Sequence, residues 1–177
     1  MKTKKFIFIS LLFFVTLNYA QEKNTSNKLD LIYDVKYLKS KYYPDEEKIL
    51  KIFLPKNYNN NNKYPVVYIT DAGTVNFEVA MSYIYQLMES NAIPKIILIG
   101  IEQNNRSSEL DIYWSDEGKK FKSYLFEEII PFINSNYSTS EFNTIIGHSD
   151  GAEYNHLLML ETNNPFRGFI NISTNLN

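Results

Sequence analysis

Runs of apolar residues alternate along the chain with segments in which apolar residues recur at helical spacing. Val66–Thr70 ("VVYIT") is rich in β-branched residues and is bounded by Pro65 and Gly73, which is typical of a strand buried on both faces. From Phe77 to Ser90 the apolar residues follow the period of a helix, which predicts an amphipathic helix. The same criteria predict further strands at Ile49–Leu54, Lys95–Ile101, Thr144–Ile146 and Gly168–Ile172.

Later segments complete an alternation of strands and helices. Apolar spacing predicts helices over Phe121–Ile133, with a kink at Pro131, and over Ala152–Thr162. Between the predicted strand Lys95–Ile101 and these helices, Asn104–Gly118 is polar and irregular, which predicts a long loop of the kind that often lines a site. Because strands joined by helices require right-handed crossovers, the pattern predicts an α/β sandwich with a mostly parallel sheet and an antiparallel edge.

The ends of the predicted strands indicate where a site would lie. Ligands of such sheets bind beyond the carboxyl ends of the strands, and Asp71, Gln103 and Ser149 all fall at such ends. We therefore expect these three side chains to lie on one edge of the sheet.

Composition limits the class of protein. The chain has 177 residues and a net charge of -2, so one domain is expected and nucleic acid is not an expected partner. It is 44% hydrophobic, enough for one substantial core. It contains no cysteine, which excludes disulfides, thiolate metal sites and a cysteine nucleophile.

The first twenty residues have the order of a signal peptide. Lysines close to the start precede Phe6–Leu17, a run of about 12 mostly apolar residues. A small residue, Ala20, follows at the expected cleavage position, although Asn18 fits the usual pattern poorly. The run is too short for a stable membrane span. We expect residues 1–20 to be removed and the remaining chain to be exported, to the periplasm or beyond.

The stretch "IIGHSDGA" carries the strongest chemical signal. It places Ser149 between Gly147 and Gly151, directly after a predicted strand and before a predicted helix. A nucleophile on such a turn needs small neighbours, because its strained backbone brings chain segments close together. An ordinary tight turn is the alternative, but this context favours a nucleophilic serine.

The same geometry predicts the groups that would stabilise a developing oxyanion. The N–H of Asp150 would face the developing oxyanion at the positive end of the following helix. A second donor is expected from the loop after the Val66–Thr70 strand, near Ala72 and Gly73.

Four blocks of the sequence together resemble a known family. They are "KIFLPKNYNNNNKYPVVYITDAG", "IPKIILIGIEQNNRSSELDIY", "FKSYLFEEIIPFINSNY" and "IIGHSDGAEY", and they are similar to the Putative esterase family of α/β-hydrolases. That family includes esterase D-like enzymes, enterochelin esterases, mycolyltransferases and some carbohydrate esterases. The resemblance runs from about Ile49 onward, and it implies an α/β-hydrolase-type fold for residues 21–177.

The resemblance also implies roles for individual residues. Ser149 would be the nucleophile, and Ala72, Gly73 and Asp150 would build the oxyanion hole. Arg106 corresponds to an arginine that the family often places near the site, where it would contact substrate; a surface arginine is the alternative. The sequence departs from the family at Asp71-Ala72-Gly73, where Asp-Gly is commoner, and at Tyr113-Trp114, where proline is frequent. These departures concern substrate preference.

A serine nucleophile needs a general base, normally histidine, and both histidines of the chain are poorly placed for it. His148 precedes Ser149 at a strand end, where successive side chains point to opposite faces. His156 lies about 10 Å further along the predicted helix. Glu153 and His156 have metal-pair spacing but no partner, so we expect no metal, and an acyl-enzyme route needs no organic cofactor.

In α/β-hydrolases the acid and then the histidine follow the serine in the chain. Here one predicted helix and one predicted strand use up the residues after Ser149. We therefore expect a C-terminally truncated domain, the N-terminal portion of the hydrolase only, with an exposed last strand and poor stability.

The expected function is that of an exported serine carboxylic-ester hydrolase, impaired in this chain. The resemblance implies a siderophore, acylated sugar or small acyl ester as substrate. Transfer of the acyl group to a sugar or lipid is equally compatible with the sequence. A non-catalytic protein that binds carbohydrate or a cell surface through Tyr113 and Trp114 is the alternative from another class.

Overall fold

The computed structural model describes residues 32–111 and 113–174, so the predicted signal peptide lies outside the described residues. The strands are β1 (Asp34–Lys39), β2 (Glu47–Phe53), β3 (Tyr64–Ile69), β4 (Ile97–Ile101), β5 (Thr139–His148) and β6 (Phe166–Ile172). The helices are α1 (Asn76–Glu89), α2 (Arg106–Glu109), α3 (Asp116–Tyr124), α4 (Ile130–Asn136) and α5 (Asp150–Met159). A π-helical segment, Leu125–Ile129, joins α3 to α4.

The described strands form one mixed sheet in the order β1-β2-β4-β3-β5-β6. β4, β3, β5 and β6 run parallel, whereas β1 and β2 are antiparallel to their neighbours. This arrangement confirms the predicted α/β sandwich with its antiparallel edge. β1 was not predicted, because its residues are mostly exposed and carry no apolar run.

Alternating residues of the central strands supply both layers of the core. Every residue of β4 is buried, which explains its continuous apolar sequence. One face packs against α3, the π-helical segment, α4 and α5. The other face is covered by α1, whose Phe77 lies so close to Gly100 that a Cβ there would come within 2.5 Å of the ring.

Besides the short helix α2, which lies inside the predicted loop, two helical segments differ from the sequence prediction. α3 begins inside the predicted loop, because the Ser115 hydroxyl caps the helix by accepting a hydrogen bond from the Gly118 N–H at 3.3 Å. The predicted kink at Pro131 lies just after the π-helical segment, where the Ile130 N–H donates to the carbonyl of Leu125. Proline has no N–H to continue the ladder, and the wider turn precedes it directly.

An apolar surface remains uncovered on the α1 side of the sheet. Val75, Val79, Tyr83 and Leu87 recur at four-residue intervals and form an exposed stripe along α1. Beside it, half-exposed isoleucines of β6, at the sheet edge, line a cavity of about 300 Å³ together with residues of α1.

No helix among the described residues has the length and apolar character needed to cross a membrane.

Charging this stripe should reduce self-association of the chain. Val79→Glu/Tyr83→Glu is expected to lower the average mass in light scattering, because exposed apolar patches of this kind promote association. Asn61→Glu/Asn62→Glu, in an exposed loop, is the control with the same added charge. Equal association of the two variants would contradict the interpretation.

Candidate active site

Ser149 lies between β5 and α5 in a strained conformation. Its φ of 54° and ψ of -121° fall in a region that glycine visits readily and other residues avoid. The Ser149 N–H donates to the carbonyl of Ile172 at 3.0 Å, and its carbonyl accepts from the N–H groups of Ala152 and Glu153. Among the described residues, the Ser149 hydroxyl has no hydrogen-bond partner.

The two flanking glycines make this turn possible. A Cβ on Gly147 would come within 2.2 Å of the carbonyl oxygen of Gly151, a distance that no side chain tolerates. A Cβ on Gly151 would lie 2.6 Å from the hydroxyl oxygen of Thr70, at the end of the neighbouring strand. The sequence Gly-x-Ser-x-Gly therefore reflects two close approaches rather than general flexibility.

The predicted oxyanion donors differ in availability. Asp150 is the first residue of α5, and backbone N–H groups in a first turn have no partner within the helix. On the opposite loop, the Ala72 N–H donates to the carbonyl of Ile101 at 3.2 Å, whereas Gly73 N–H has no partner within the described chain. Of the two predicted loop donors, Gly73 is thus the one free to bind an oxyanion.

Arg106 joins the two sides of this site. Its Nε donates to Asp71 Oδ1 at 2.5 Å and its Nη2 to Asp71 Oδ2 at 3.2 Å, while Nη1 donates to the carboxylate of Asp150. Nη2 also lies 3.4 Å from the carbonyl oxygen of His148. The hydrogen bond with Asp71 raises the pKa of Arg106 above its ordinary value. Arg106 therefore fastens the loop after β3 to the turn that carries Ser149.

A buried ion pair supports the short helix that carries Arg106. Glu109 Oε1 accepts from the backbone N–H groups of Asn104 and Asn105 at 3.1 and 3.0 Å, and from Lys48 Nζ at 2.9 Å. Lys48 is fully buried, and its ammonium lies 3.7 Å from the ring centroid of Tyr43. Sequence reasoning missed this pair, since nothing local marks two residues of separate elements as partners.

Gln103, the third residue expected at this edge, does lie there. Its side-chain oxygen accepts from the N–H of Asp71 at 2.7 Å, which holds the turn after β3 against the end of β4. Asp71 itself has a positive φ of 61°. The structure thus brings Asp71, Gln103 and Ser149 to the same sheet edge, as expected from the strand ends.

The two histidines lie at the end of β5 and in the last turn of α5. His148 is exposed and lines the cavity beside α1, on the face away from the main core. His156 lies in the last turn of α5. Neither has a hydrogen bond to Ser149, and no cluster of three or more potential metal ligands occurs in the described part of the chain.

Tyr113 and Trp114, in the loop that precedes α3, lie in different environments. Tyr113 is exposed, but Trp114 packs with its ring centroid 5.7 Å from that of Tyr154. Tyr154 in turn donates a hydrogen bond to the carbonyl of Gly118 at 2.6 Å. Trp114 therefore packs the loop against α5 and is only partly exposed.

A mostly parallel sheet covered by helices on both faces, with a serine on a strained strand-to-helix turn, is the architecture of the α/β-hydrolase class. The family comparison agrees with this assignment. The family model described as Putative esterase matches residues 41–173, and the chain belongs to that family.

Three individual relatives share between 14% and 29% of their aligned residues with this chain. The "Uncharacterized protein YjcH" of Bacillus subtilis (strain 168) is 29% identical over 134 residues, 71% of this chain and 55% of that protein. An IroE-like serine hydrolase from Shewanella oneidensis shares the fold with a TM-score of 0.70 and 24% identity, over 78% of this chain and 49% of that chain. The enterobactin esterase FES from Shigella flexneri has a TM-score of 0.63 and 14% identity, over 77% and 35%. The chain thus spans about half the length of the curated relative.

Removing the side chain at position 149 should stabilise the fold. Ser149→Gly is expected to raise the free energy of unfolding by about 1–3 kcal/mol relative to Ser149→Ala, because glycine relieves the strained backbone and alanine does not. Urea denaturation of the two variants measures this difference directly. Equal stability would show that the turn stores no strain.

Removing one charge of the Lys48–Glu109 ion pair should lower the free energy of unfolding more than removing both charges. Lys48→Met leaves the Glu109 carboxylate buried without its cation, so it should lower the free energy of unfolding by about 3–5 kcal/mol. Lys48→Met/Glu109→Gln removes both charges and keeps the acceptor for Asn104 and Asn105, and it should recover much of the loss. Urea denaturation of both variants tests this, and a double variant as unstable as the single one would refute it.

Proposed function

We propose that this chain carries the nucleophile and the oxyanion hole of a serine carboxylic-ester hydrolase. The observation that carries the proposal is the strained backbone of Ser149, which costs stability and leaves a free hydroxyl beyond the end of β5. Membership of the Putative esterase family supports an esterase activity in general terms.

The proposed chemistry follows the geometry of the turn. Ser149 Oγ attacks the ester carbonyl carbon, and the negative charge that develops on the carbonyl oxygen is stabilised by the N–H groups of Asp150 and Gly73. The alcohol leaves with a proton, and water then releases the acid from the acyl-enzyme. Arg106 holds the two donors at a fixed separation. Each step uses protein groups and water, so the proposed route requires no metal or organic cofactor.

We propose that the base which takes the serine proton is not among these 177 residues. In the described structure neither histidine is hydrogen-bonded to the serine, and the matched relatives are about twice as long as the matched region. On this proposal the chain alone has a prepared nucleophile that is poorly activated, and its hydrolysis is impaired.

The substrate is proposed to be a small-molecule or saccharide ester. One structural neighbour is an enterobactin esterase and another a ferulic acid esterase, which supports siderophore and aromatic acyl esters as substrate classes. Transfer to a sugar or lipid acceptor would use the same acyl-enzyme. The packing of Trp114 against Tyr154 gives less support to a carbohydrate-binding role. Export after cleavage near Ala20 remains part of the proposal.

A fluorophosphonate probe should test the nucleophile and the missing base together. The probe is expected to phosphonylate Ser149 slowly, with loss of fluoride, and added imidazole should accelerate labelling by about tenfold or more by acting as the base. Mass spectrometry of the labelled peptide gives the rate at this residue. Ser149→Ala is expected to remove the label.

A second serine in the same protein serves as the control. Ser108 on α2 lies near the site and should stay unlabelled under the same conditions. Absence of labelling at Ser149, both with imidazole and in a form of the protein as long as its relatives, would refute the proposed function. Fast labelling without imidazole would refute the proposal that the base is missing.

A further inference from the structure

Arg106 is already occupied, although its position beside the serine turn would suit an anionic substrate. Its guanidinium makes a two-point contact with Asp71 and a further contact with the carboxylate of Asp150. The second N–H of Nη2 lies against the carbonyl oxygen of His148. One N–H of Nη1 has no partner among the described residues, so an anionic group on a substrate would meet that single donor beside two carboxylates that repel it.

A further carboxylate, that of Glu102, adds negative charge to the rim of the site, by which we mean the side chains around Ser149 and the proposed oxyanion donors. The Glu102 carboxylate lies beside the proposed oxyanion donor, 3.6 Å from the position of a Cβ on Gly73. Glu102 is paired with Lys51, whose Nζ lies 3.6 Å from its carboxylate oxygen. The same Nζ lies only 2.9 Å from the carboxylate oxygen of Glu78, so Lys51 is shared between two carboxylates. Carboxylates thus outnumber the cations around the donors.

We infer that this site selects esters that are uncharged or cationic near the scissile bond, and that the Asp150 carboxylate is the residue which sets this preference. The inference rests on the proposed function and names its substrate class. Asp150 acts twice: its N–H serves the oxyanion, and its carboxylate neutralises the cation that an anionic ester would use. The side chain is half exposed, so an entering substrate meets it.

The size of the effect follows from Coulomb's law. A charge about 4 Å from a carboxylate in water changes a rate or affinity by about fivefold, and by more where water is partly excluded. Because salt screens exposed charges over about 10 Å at 0.1 M and about 3 Å at 1 M, the preference should weaken as salt is added.

A pair of probes matched in size tests the inference on the chain itself. Two ethyl p-nitrophenyl alkylphosphonate diesters, uncharged at phosphorus and ending in a carboxylate or in the isosteric amide, are reacted with the protein in the presence of imidazole, which takes the serine proton. Labelling of Ser149 breaks the phosphorus–nitrophenolate bond and forms the bond to Oγ. We expect the neutral probe to label at least about fivefold faster, and the ratio to shrink in 1 M salt.

Asp150→Asn isolates the carboxylate and retains the backbone N–H. It should raise the rate of the anionic probe relative to the neutral one by about fivefold or more, because it removes a full negative charge beside Arg106. Asp116→Asn, which removes an exposed carboxylate on α3, is the matched control and should leave the ratio unchanged.

The outcomes separate this inference from the proposed function. Equal labelling by the two probes, or a ratio that Asp150→Asn leaves unchanged, overturns the charge preference while the nucleophile stands. No labelling by either probe overturns both, since the preference rests on the reaction.

Discussion

The backbone at Ser149 is held at positive φ by segments that pass closer than any side chain would permit. Gly147 lies against the carbonyl of Gly151, and Gly151 lies against Thr70 at the end of β3. Two parallel neighbouring strands, β3 and β5, therefore fix the turn from both sides. The hydroxyl position depends on this contact, and so do the start of α5 and the direction of its first N–H groups.

A second layer of polar contacts fixes the opposite side of the site. Lys48 and Glu109 are buried together and hold the loop whose helix carries Arg106, and Arg106 then reaches both Asp71 and Asp150. The chain of contacts runs from the antiparallel strand β2 to the serine turn. In the proposed reaction it sets the separation of the two oxyanion donors, and it leaves a rim with more carboxylates than cations.

Local signals in the sequence were sufficient to predict the central strands, α1 and the serine turn. Each has a pattern that a short window reveals, such as the buried run of β4 or the two glycines around Ser149. β1 was missed because an exposed edge strand has no apolar face, and α2 because four residues are too few to show a period. The Lys48–Glu109 pair joins residues 61 positions apart, and no local pattern specifies such a contact. Arg106 was predicted near the site, but its occupation by two carboxylates depends on the tertiary structure.

In the proposed reaction, the turn at Ser149 directs the nucleophile toward donors on both sides of the site. A crystal structure of the protein with Ser149 phosphonylated tests it most directly. We expect a positive φ at Ser149, with the phosphonyl oxygen about 2.7–3.1 Å from the backbone nitrogens of both Asp150 and Gly73. An adduct with an ordinary negative φ, or with that oxygen bound to solvent alone, would contradict it.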